Sequence, residues 1–134
     1  MKEIEELDLP ETLRYTEDHE WAVQSVEGIR IGISDYAQDQ LGDIVFVELP
    51  KIGDRLDKGG EFGTVESVKA VAELFVPISG EIVTVNSVLD ASPELVNKDP
   101  YGEGWMVEIK PSAIEELNIL MTQDAYVKYL KGKE

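Results

Sequence analysis

The sequence predicts a mainly β domain, a sandwich or flattened barrel with short helices near its C-terminus. Turn signals recur at short intervals from Lys51 onward, which is typical of short antiparallel strands. A capping pattern at Ser112 and Glu115 and a second cap at Thr122 predict two helical segments late in the chain. The chain has 134 residues, 43% of them hydrophobic, which suits one modest core, so we expect a single domain over residues 1–134.

The first half of the chain predicts a hairpin, a short helix and a buried strand, in that order. Alternating apolar residues over 15–32 indicate the hairpin. Ser34 can cap a helix over residues 35–41, which Gly42 would end in a left-handed conformation. The run over residues 44–49 is rich in β-branched residues and apolar on both faces, so it predicts a buried strand.

Composition excludes several function classes. The 28 acidic and 12 basic residues give a formal charge of −16, which repels nucleic acids and anionic membranes, so we expect neither as a partner. Without cysteine the chain has no disulfide, thiolate nucleophile or zinc–thiolate site, and no Asp/Glu spacing is typical of a metal site. The acidic first ten residues do not resemble a signal or transit peptide. We therefore expect a cytoplasmic protein, or an organellar matrix protein if the chain is a processed form.

The segment over residues 62–78 holds the candidate functional lysine, Lys69. Strands usually run about five or six residues, so a β segment of this length must reverse near its midpoint, beside Lys69. Apolar residues from Val65 to Phe75 also recur at helical spacing, and no Gly, Asn or Pro marks a turn, so periodicity leaves helix and hairpin open. A lysine at a hairpin tip could carry an acid cofactor as an amide, on an arm reaching on the order of 14 Å. The alternative is an ordinary solvated surface lysine.

Four segments carry a family resemblance. They are YTEDHEWA at 15–22, GISDYAQDQLGDIVFVELP at 32–50, ESVKA at 66–70 followed by PISGEI at 77–82, and DPYGEGWMVEIKPS at 99–112. In order and spacing they resemble the glycine cleavage system H proteins over nearly the whole chain. The resemblance implies a lipoyl/biotinyl-like barrel-sandwich hybrid, or hammerhead, that is mainly β with a few short helices, including C-terminal ones. It also favours the hairpin at Lys69.

The resemblance implies a non-catalytic carrier, with lipoate covalently attached to Lys69 and no metal. Its lipoyl-lysine arm would accept an aminomethyl group from the pyridoxal-phosphate glycine decarboxylase (P-protein) and present it to the tetrahydrofolate-dependent aminomethyltransferase (T-protein). Dihydrolipoamide dehydrogenase (L-protein) would then reoxidise the arm. A lipoate ligase or a lipoyl/octanoyl transferase would attach the group after recognising the residues that flank the lysine, namely Glu66, Ser67, Val68 and Ala70.

The same resemblance implies a cleft that shelters the loaded arm, whose amine is cationic. The candidates for facing that amine are Glu20, Glu73, Asp18 and Gln40. Family members often carry a polar residue in place of Ala72, and some carry His in place of Gln40. His19, the single histidine, has no nucleophile partner in the sequence, so we expect it to be a structural hydrogen-bonding residue rather than a general base.

Other functions remain open at the level of sequence. The chain could hand its lipoyl group to other complexes as a lipoate relay, or it could be another biotinyl or lipoyl carrier domain. Biotinyl sites typically set the lysine between methionines, whereas Val68 and Ala70 flank it here. A small hydrolase or metal enzyme using carboxylates, and an acidic interaction module, are the unrelated alternatives.

Overall fold

A computed structural model describes residues 2–133 of the chain. Within these residues the strands are β1 Arg14–Tyr15, β2 Glu20–Gln24, β3 Ile29–Ile33, β4 Ile44–Glu48, β5 Arg55–Leu56, β6 Glu61–Ser67, β7 Val71–Phe75, β8 Gly80–Val85 and β9 Val107–Pro111. The α-helices are α1 Asp35–Leu41, α2 Val88–Ala91, α3 Leu95–Lys98 and α4 Gln123–Lys131, and short 3-10 helices span Ile4–Glu6 and Ile114–Ile119. The prediction of a mainly β fold with short helices, including one near the C-terminus, is confirmed. None of the helices described is long and apolar enough to cross a membrane.

The strands form two antiparallel sheets. The larger has six strands in the order β1-β2-β3-β9-β8-β5, and the smaller has three in the order β4-β6-β7. Apolar side chains from both sheets form the main core, which includes Ile31, Val65, Ile82 and Ile109. The small sheet is therefore fixed to the large one by burial of apolar surface, the dominant favourable contribution to folding.

The predicted hairpin and the helix after it are both present. Strands β2 and β3 pair in register from Glu20 opposite Ile33 to Gln24 opposite Ile29. The Ser34 side chain accepts a hydrogen bond from the Ala37 N–H and so caps α1, as its position predicted. Helix α1 ends at Gly42, which has φ 81° and ψ −162°. The glycine has the expected positive φ, but its ψ is extended rather than left-handed helical.

A second apolar cluster lies between the N-terminal segment and α4. Tyr15 and Tyr126 stack with ring centroids 4.6 Å apart, beside the fully buried Trp21. Thr122 accepts a hydrogen bond from the Ala125 N–H and caps α4. The C-terminal helix therefore packs against the side of the large sheet that contains β1 and β2.

Two local predictions are wrong. Strand β4 is not buried on both faces, because it is an edge strand that pairs only with β6, and Val45 and Phe46 are about half exposed. No capping box forms at Ser112 and Glu115. The Ser112 N–H instead donates to the Ser79 carbonyl, continuing the β8–β9 pairing, and the turn that follows is a 3-10 helix without a side-chain cap.

Candidate functional site

Lys69 lies at the tip of a tight β-hairpin. Strands β6 and β7 pair through Glu66 opposite Val71, and the Ser67 N–H donates to the Ala70 carbonyl at 2.8 Å. Val68 and Lys69 form the two-residue loop that remains, and the Lys69 side chain is exposed. The hairpin that the resemblance favoured is therefore present, and the helix that periodicity left open is absent.

The loop closes without Gly, Asn or Pro because the Ser67 side chain supports it. The Ser67 hydroxyl oxygen accepts hydrogen bonds from the N–H groups of Lys69, at 3.2 Å, and of Ala70, at 3.0 Å. A serine hydroxyl that bonds the backbone two or three residues later is a known turn-forming device. Ser67 is itself only 5% exposed. Of the four residues predicted for recognition, Ser67 therefore shapes the turn, while Glu66, Val68 and Ala70 are exposed.

The loop is also tied to the connection between α1 and β4. The Val68 N–H donates to the Asp43 carbonyl at 3.1 Å. The Lys69 side chain lies beside Gly42, where a β-carbon would sit 3.6 Å from the lysine Cε. The lysine is therefore displayed on a loop held both by its own hairpin and by the neighbouring connection.

Asn97 of α3 fixes that connection and was not singled out from the sequence. Its Oδ1 accepts a hydrogen bond from the Ile44 N–H at 2.8 Å. Its Nδ2 donates to the Gln38 Oε1 and to the Gly42 carbonyl, both at 2.9 Å. One side chain thus joins the end of α1 to the start of β4. The sequence pattern around Asn97 indicates only a turn, so no sequence signal predicted that Asn97 links α1 to β4.

A groove of about 290 Å³ runs beneath the hairpin. Its apolar lining comes from β6 and β7 on one side, including Val65 and Leu74, and from α1 on the other, including Ala37 and Leu41. All four residues predicted for the cleft line this one groove, namely Asp18, Glu20, Gln40 and Glu73. The groove has apolar walls with carboxylates among them, so it can accept a chain that is apolar along its length and cationic at its end.

Glu20 is the buried member of the four, with only 1% of its surface exposed. One carboxylate oxygen accepts a hydrogen bond from the Thr16 hydroxyl at 2.9 Å, and the other accepts from the Phe75 N–H at 3.2 Å. Phe75 ends the edge strand β7, so the carboxylate satisfies an N–H that no neighbouring strand covers. Burial raises the pKa of Glu20 to about 8, and the bonds from Phe75 and Thr16 oppose that rise only in part.

The other three residues lie closer to solvent. Asp18 and Glu73 are exposed, and Gln40 of α1 is half-buried. Glu73 pairs across the sheet with Thr64 and borders the groove from the edge strand. The groove therefore has one buried carboxyl group in its wall and two exposed ones near its mouth.

His19 joins the groove to the C-terminal helix. Its backbone has a positive φ of 70°, and its Nδ1 lies 2.8 Å from the Tyr126 hydroxyl, which also contacts the Ser34 hydroxyl at 2.9 Å. The imidazole ring packs against the Tyr36 ring, with centroids 4.6 Å apart. Burial, with help from the cation of Lys133, lowers the pKa of His19 to about 4, so the ring is neutral at pH 7. The ring takes part in packing and hydrogen bonding, in agreement with the structural role expected for it.

The described residues bring together no group of three or more His, Cys, Asp or Glu side chains able to hold a metal ion. Two sheets, a short lysine-bearing hairpin loop and a groove beneath that hairpin define a domain with the architecture of the lipoyl/biotinyl-carrier class. The comparisons with known proteins identify the family within this class.

The chain belongs to the glycine cleavage H-protein family. The family described as "Glycine cleavage H-protein" matches residues 13–133. The glycine cleavage system H protein of Anaeromyxobacter sp. (strain K) is 52% identical over 128 residues, which cover 96% of this chain and all of that protein. The probable glycine cleavage system H protein of Natronomonas pharaonis is 51% identical over 119 residues, covering 89% of this chain and 94% of that protein.

A solved structure agrees with the family assignment. The crystal structure of a glycine cleavage system H protein from Mycobacterium marinum superposes with a TM-score of 0.83 at 37% sequence identity. The match covers 91% of this chain and 98% of that one. The hammerhead-type fold implied by the sequence resemblance is thus confirmed.

Proposed function

We propose that this chain is the lipoyl-carrying shuttle of a glycine cleavage system, that Lys69 is its attachment site, and that residues 1–134 act as one carrier domain without catalysis of their own. The observation that carries the proposal is the exposed amine of Lys69 on a two-residue hairpin loop held from both sides. An ordinary surface lysine needs no such support. Membership of the H-protein family is the independent support.

The residues around Lys69 fit a lipoyl group. The amine is exposed, so a carboxylic acid can be joined to it as an amide. The resulting arm would reach on the order of 14 Å, and the groove begins in the same hairpin that carries the lysine. When bound, the lipoyl group supplies the sulfur chemistry for carrying a one-carbon amine fragment, which this cysteine-free chain cannot supply itself.

Within the groove we assign the carboxyl groups to holding a cationic amine at the end of the arm. The Glu20 side chain is fixed by two hydrogen bonds, so it offers an acceptor that does not need to reorganise. Asp18 and Glu73 add negative charge near the mouth, and Gln40 adds a polar side chain on the α1 wall. The apolar walls keep water from the amine, which strengthens its attraction to the carboxylates.

The proposed partners follow from the family. They are glycine decarboxylase, aminomethyltransferase, dihydrolipoamide dehydrogenase, and the lipoate ligase or lipoyl/octanoyl transferase that modifies the lysine. A formal charge of −16 suits partners with basic surfaces and disfavours nucleic acids and anionic membranes. We place the protein in the cytoplasm, or in an organellar matrix if the chain is a processed form.

Intact mass spectrometry tests the attachment site. Protein produced in a host able to lipoylate should gain the mass of one lipoyl group, and the Lys69→Arg variant should gain none. Lys51→Arg is the matched control, because Lys51 is also an exposed lysine beside a turn. Lipoylation of the Lys69→Arg variant, or of wild-type protein at another lysine, would overturn the proposal.

The role of the groove is tested with the loaded carrier. Glu20→Gln keeps the size of the side chain but cannot become an anion, so we expect ammonia release from the isolated loaded carrier to be roughly tenfold faster. That factor corresponds to loss of a charge-assisted hydrogen bond of about 1.5 kcal/mol. Release at the wild-type rate would count against any part for Glu20 in holding the amine.

A further inference from the structure

Four large apolar side chains are exposed around the Lys69 loop. Their exposed fractions are 49% for Val45, 53% for Phe46, 71% for Val68 and 66% for Val71. We call these four residues the tip patch. Single exposed apolar side chains are ordinary, but several of them gathered around one loop are typical of an interaction site.

Strand pairing places two residues of the patch, Phe46 and Val71, on the same face of the small sheet, on either side of Glu66. Phe46 pairs with Glu66, and Glu66 pairs with Val71, so the three side chains stand in one row across the small sheet. A register shift between Ile44 and Phe46 leaves Val45 exposed beside that row. Val68 continues past the end of the strands, on the loop that carries Lys69.

Carboxylates surround the patch. Glu66 lies within the row. The row two positions further along the strands contains Glu48 and Glu73, both exposed, on either side of Thr64. Asp43 is exposed where the loop is anchored. A partner that covers this surface must therefore present an apolar depression with lysine or arginine side chains at its edge.

The position of the patch indicates which partner that is. To acylate Lys69, an enzyme must bring an activated acyl carbon to the Nζ. A C–N bond forms there, the bond from the acyl carbon to its phosphate or thiol leaving group breaks, and one amine proton is lost. Such an enzyme has to cover the loop itself. Enzymes that use the finished arm meet its far end, on the order of 14 Å away.

We propose that the tip patch is the docking surface for the enzyme that acylates Lys69. This inference rests on the proposed function, because it takes Lys69 to be the attachment site. It adds Val45 and Phe46 of β4 and Val71 of β7 to the residues that flank the lysine in sequence.

Steady-state acylation of the full-length apo protein tests the proposal. The assay uses a purified lipoate ligase with lipoate and ATP, and intact mass reports the lipoylated fraction at several carrier concentrations. We expect Phe46→Ser and Val71→Ser each to raise KM roughly tenfold, as loss of a central apolar contact does, with kcat little changed. Ile52→Ser is the matched control, because Ile52 is 65% exposed but lies outside the patch, and its KM should equal that of wild type.

Loss of docking can be told apart from loss of the fold and from loss of the carrier function. Equal KM values for Phe46→Ser and Ile52→Ser would overturn the proposal while leaving lipoylation of Lys69 intact, whereas failure of the wild type to be lipoylated would refute the proposed function itself. Thermal unfolding of each variant checks that the fold persists. The lipoylated Phe46→Ser variant, first reduced to its dithiol form, should be reoxidised by dihydrolipoamide dehydrogenase and NAD+ at the wild-type rate. A loss there equal to the loss in acylation would also overturn the assignment to the acylating enzyme.

Discussion

Replacing Glu20 by Gln should change how the stability of the protein depends on pH. The carboxyl group is 1% exposed and bonded to the Thr16 hydroxyl and the Phe75 N–H. Gln has the shape of a protonated Glu and can keep one acceptor for the Phe75 N–H. The Thr16 hydroxyl can donate or accept, so it can adapt to the new amide. The substitution therefore removes the titration while keeping the packing.

The size of the effect follows from the pKa of Glu20, which burial raises from 4.5 to about 8. Between these two values the folded protein holds a proton that the unfolded chain has lost, so the free energy of unfolding falls as pH rises. The slope is about 1.4 kcal/mol per pH unit. Over roughly 3.5 pH units, the loss of unfolding free energy caused by Glu20 reaches about 5 kcal/mol at pH 9. The loss vanishes below pH 4.5.

Chemical denaturation of wild type and Glu20→Gln at a series of pH values from 4.5 to 9 measures this cost directly. The two stability curves should lie closest at low pH and diverge by up to about 5 kcal/mol at pH 9, with the variant the more stable. Glu73→Gln is the control, because Glu73 lines the same groove but is exposed. Curves for wild type and Glu20→Gln that stay parallel across this range would refute the reasoning.

Three further substitutions test the framework around the site. Gly63→Ala should lower the free energy of unfolding, measured by thermal denaturation, by on the order of 1–3 kcal/mol. The new β-carbon would overlap the Glu48 carbonyl oxygen and push β4 away from β6. Asn97→Ala should lower the free energy of unfolding by about 2–3 kcal/mol, because three hydrogen bonds to the α1–β4 connection are lost. It should also speed hydrogen exchange at the loop of Lys69, and unchanged exchange would show that Asn97 does not position this loop. Tyr126→Phe should cost about 1–3 kcal/mol, because His19 and the α1 cap lose a shared hydroxyl. An unchanged melting temperature would show that this hydroxyl adds nothing.

The hairpin at Lys69 could be predicted from the sequence only in part. Apolar spacing over residues 62–78 suits a helix as well as two strands, because the loop contains none of the residues that usually mark a tight turn. The Ser67 hydroxyl stabilises the tight turn instead, but serine is too common in sequences for its presence to predict a turn. Only the family resemblance decided between the two. The four cleft residues also came from the resemblance, and the structure brings all of them to one groove.

Other features depend on contacts far apart in the chain. The exposure of Phe46 follows from the position of β4 at a sheet edge, which its apolar sequence does not reveal. The capping pattern at Ser112 was overridden because that residue still pairs with Ser79. Asn97 acquires its role only when α3 packs against the end of α1 and the start of β4, 53 to 59 positions away in sequence. Tertiary contacts of this kind outweigh local preference.

The hairpin is tied to the opposite wall of the groove at both of its ends. At the tip the Val68 N–H bonds to Asp43, just after α1, and at the base the Phe75 N–H bonds to Glu20 at the start of β2. A neutral hydrogen bond contributes about 1 kcal/mol, and one to a charged group about 1.5–3 kcal/mol. The hydrogen bond from the Phe75 N–H to Glu20 therefore strengthens if Glu20 ionises, although burial makes ionisation costly. Under the proposed function, a cationic amine in the groove would lower that cost, and its binding would tighten the attachment of β7 to β2.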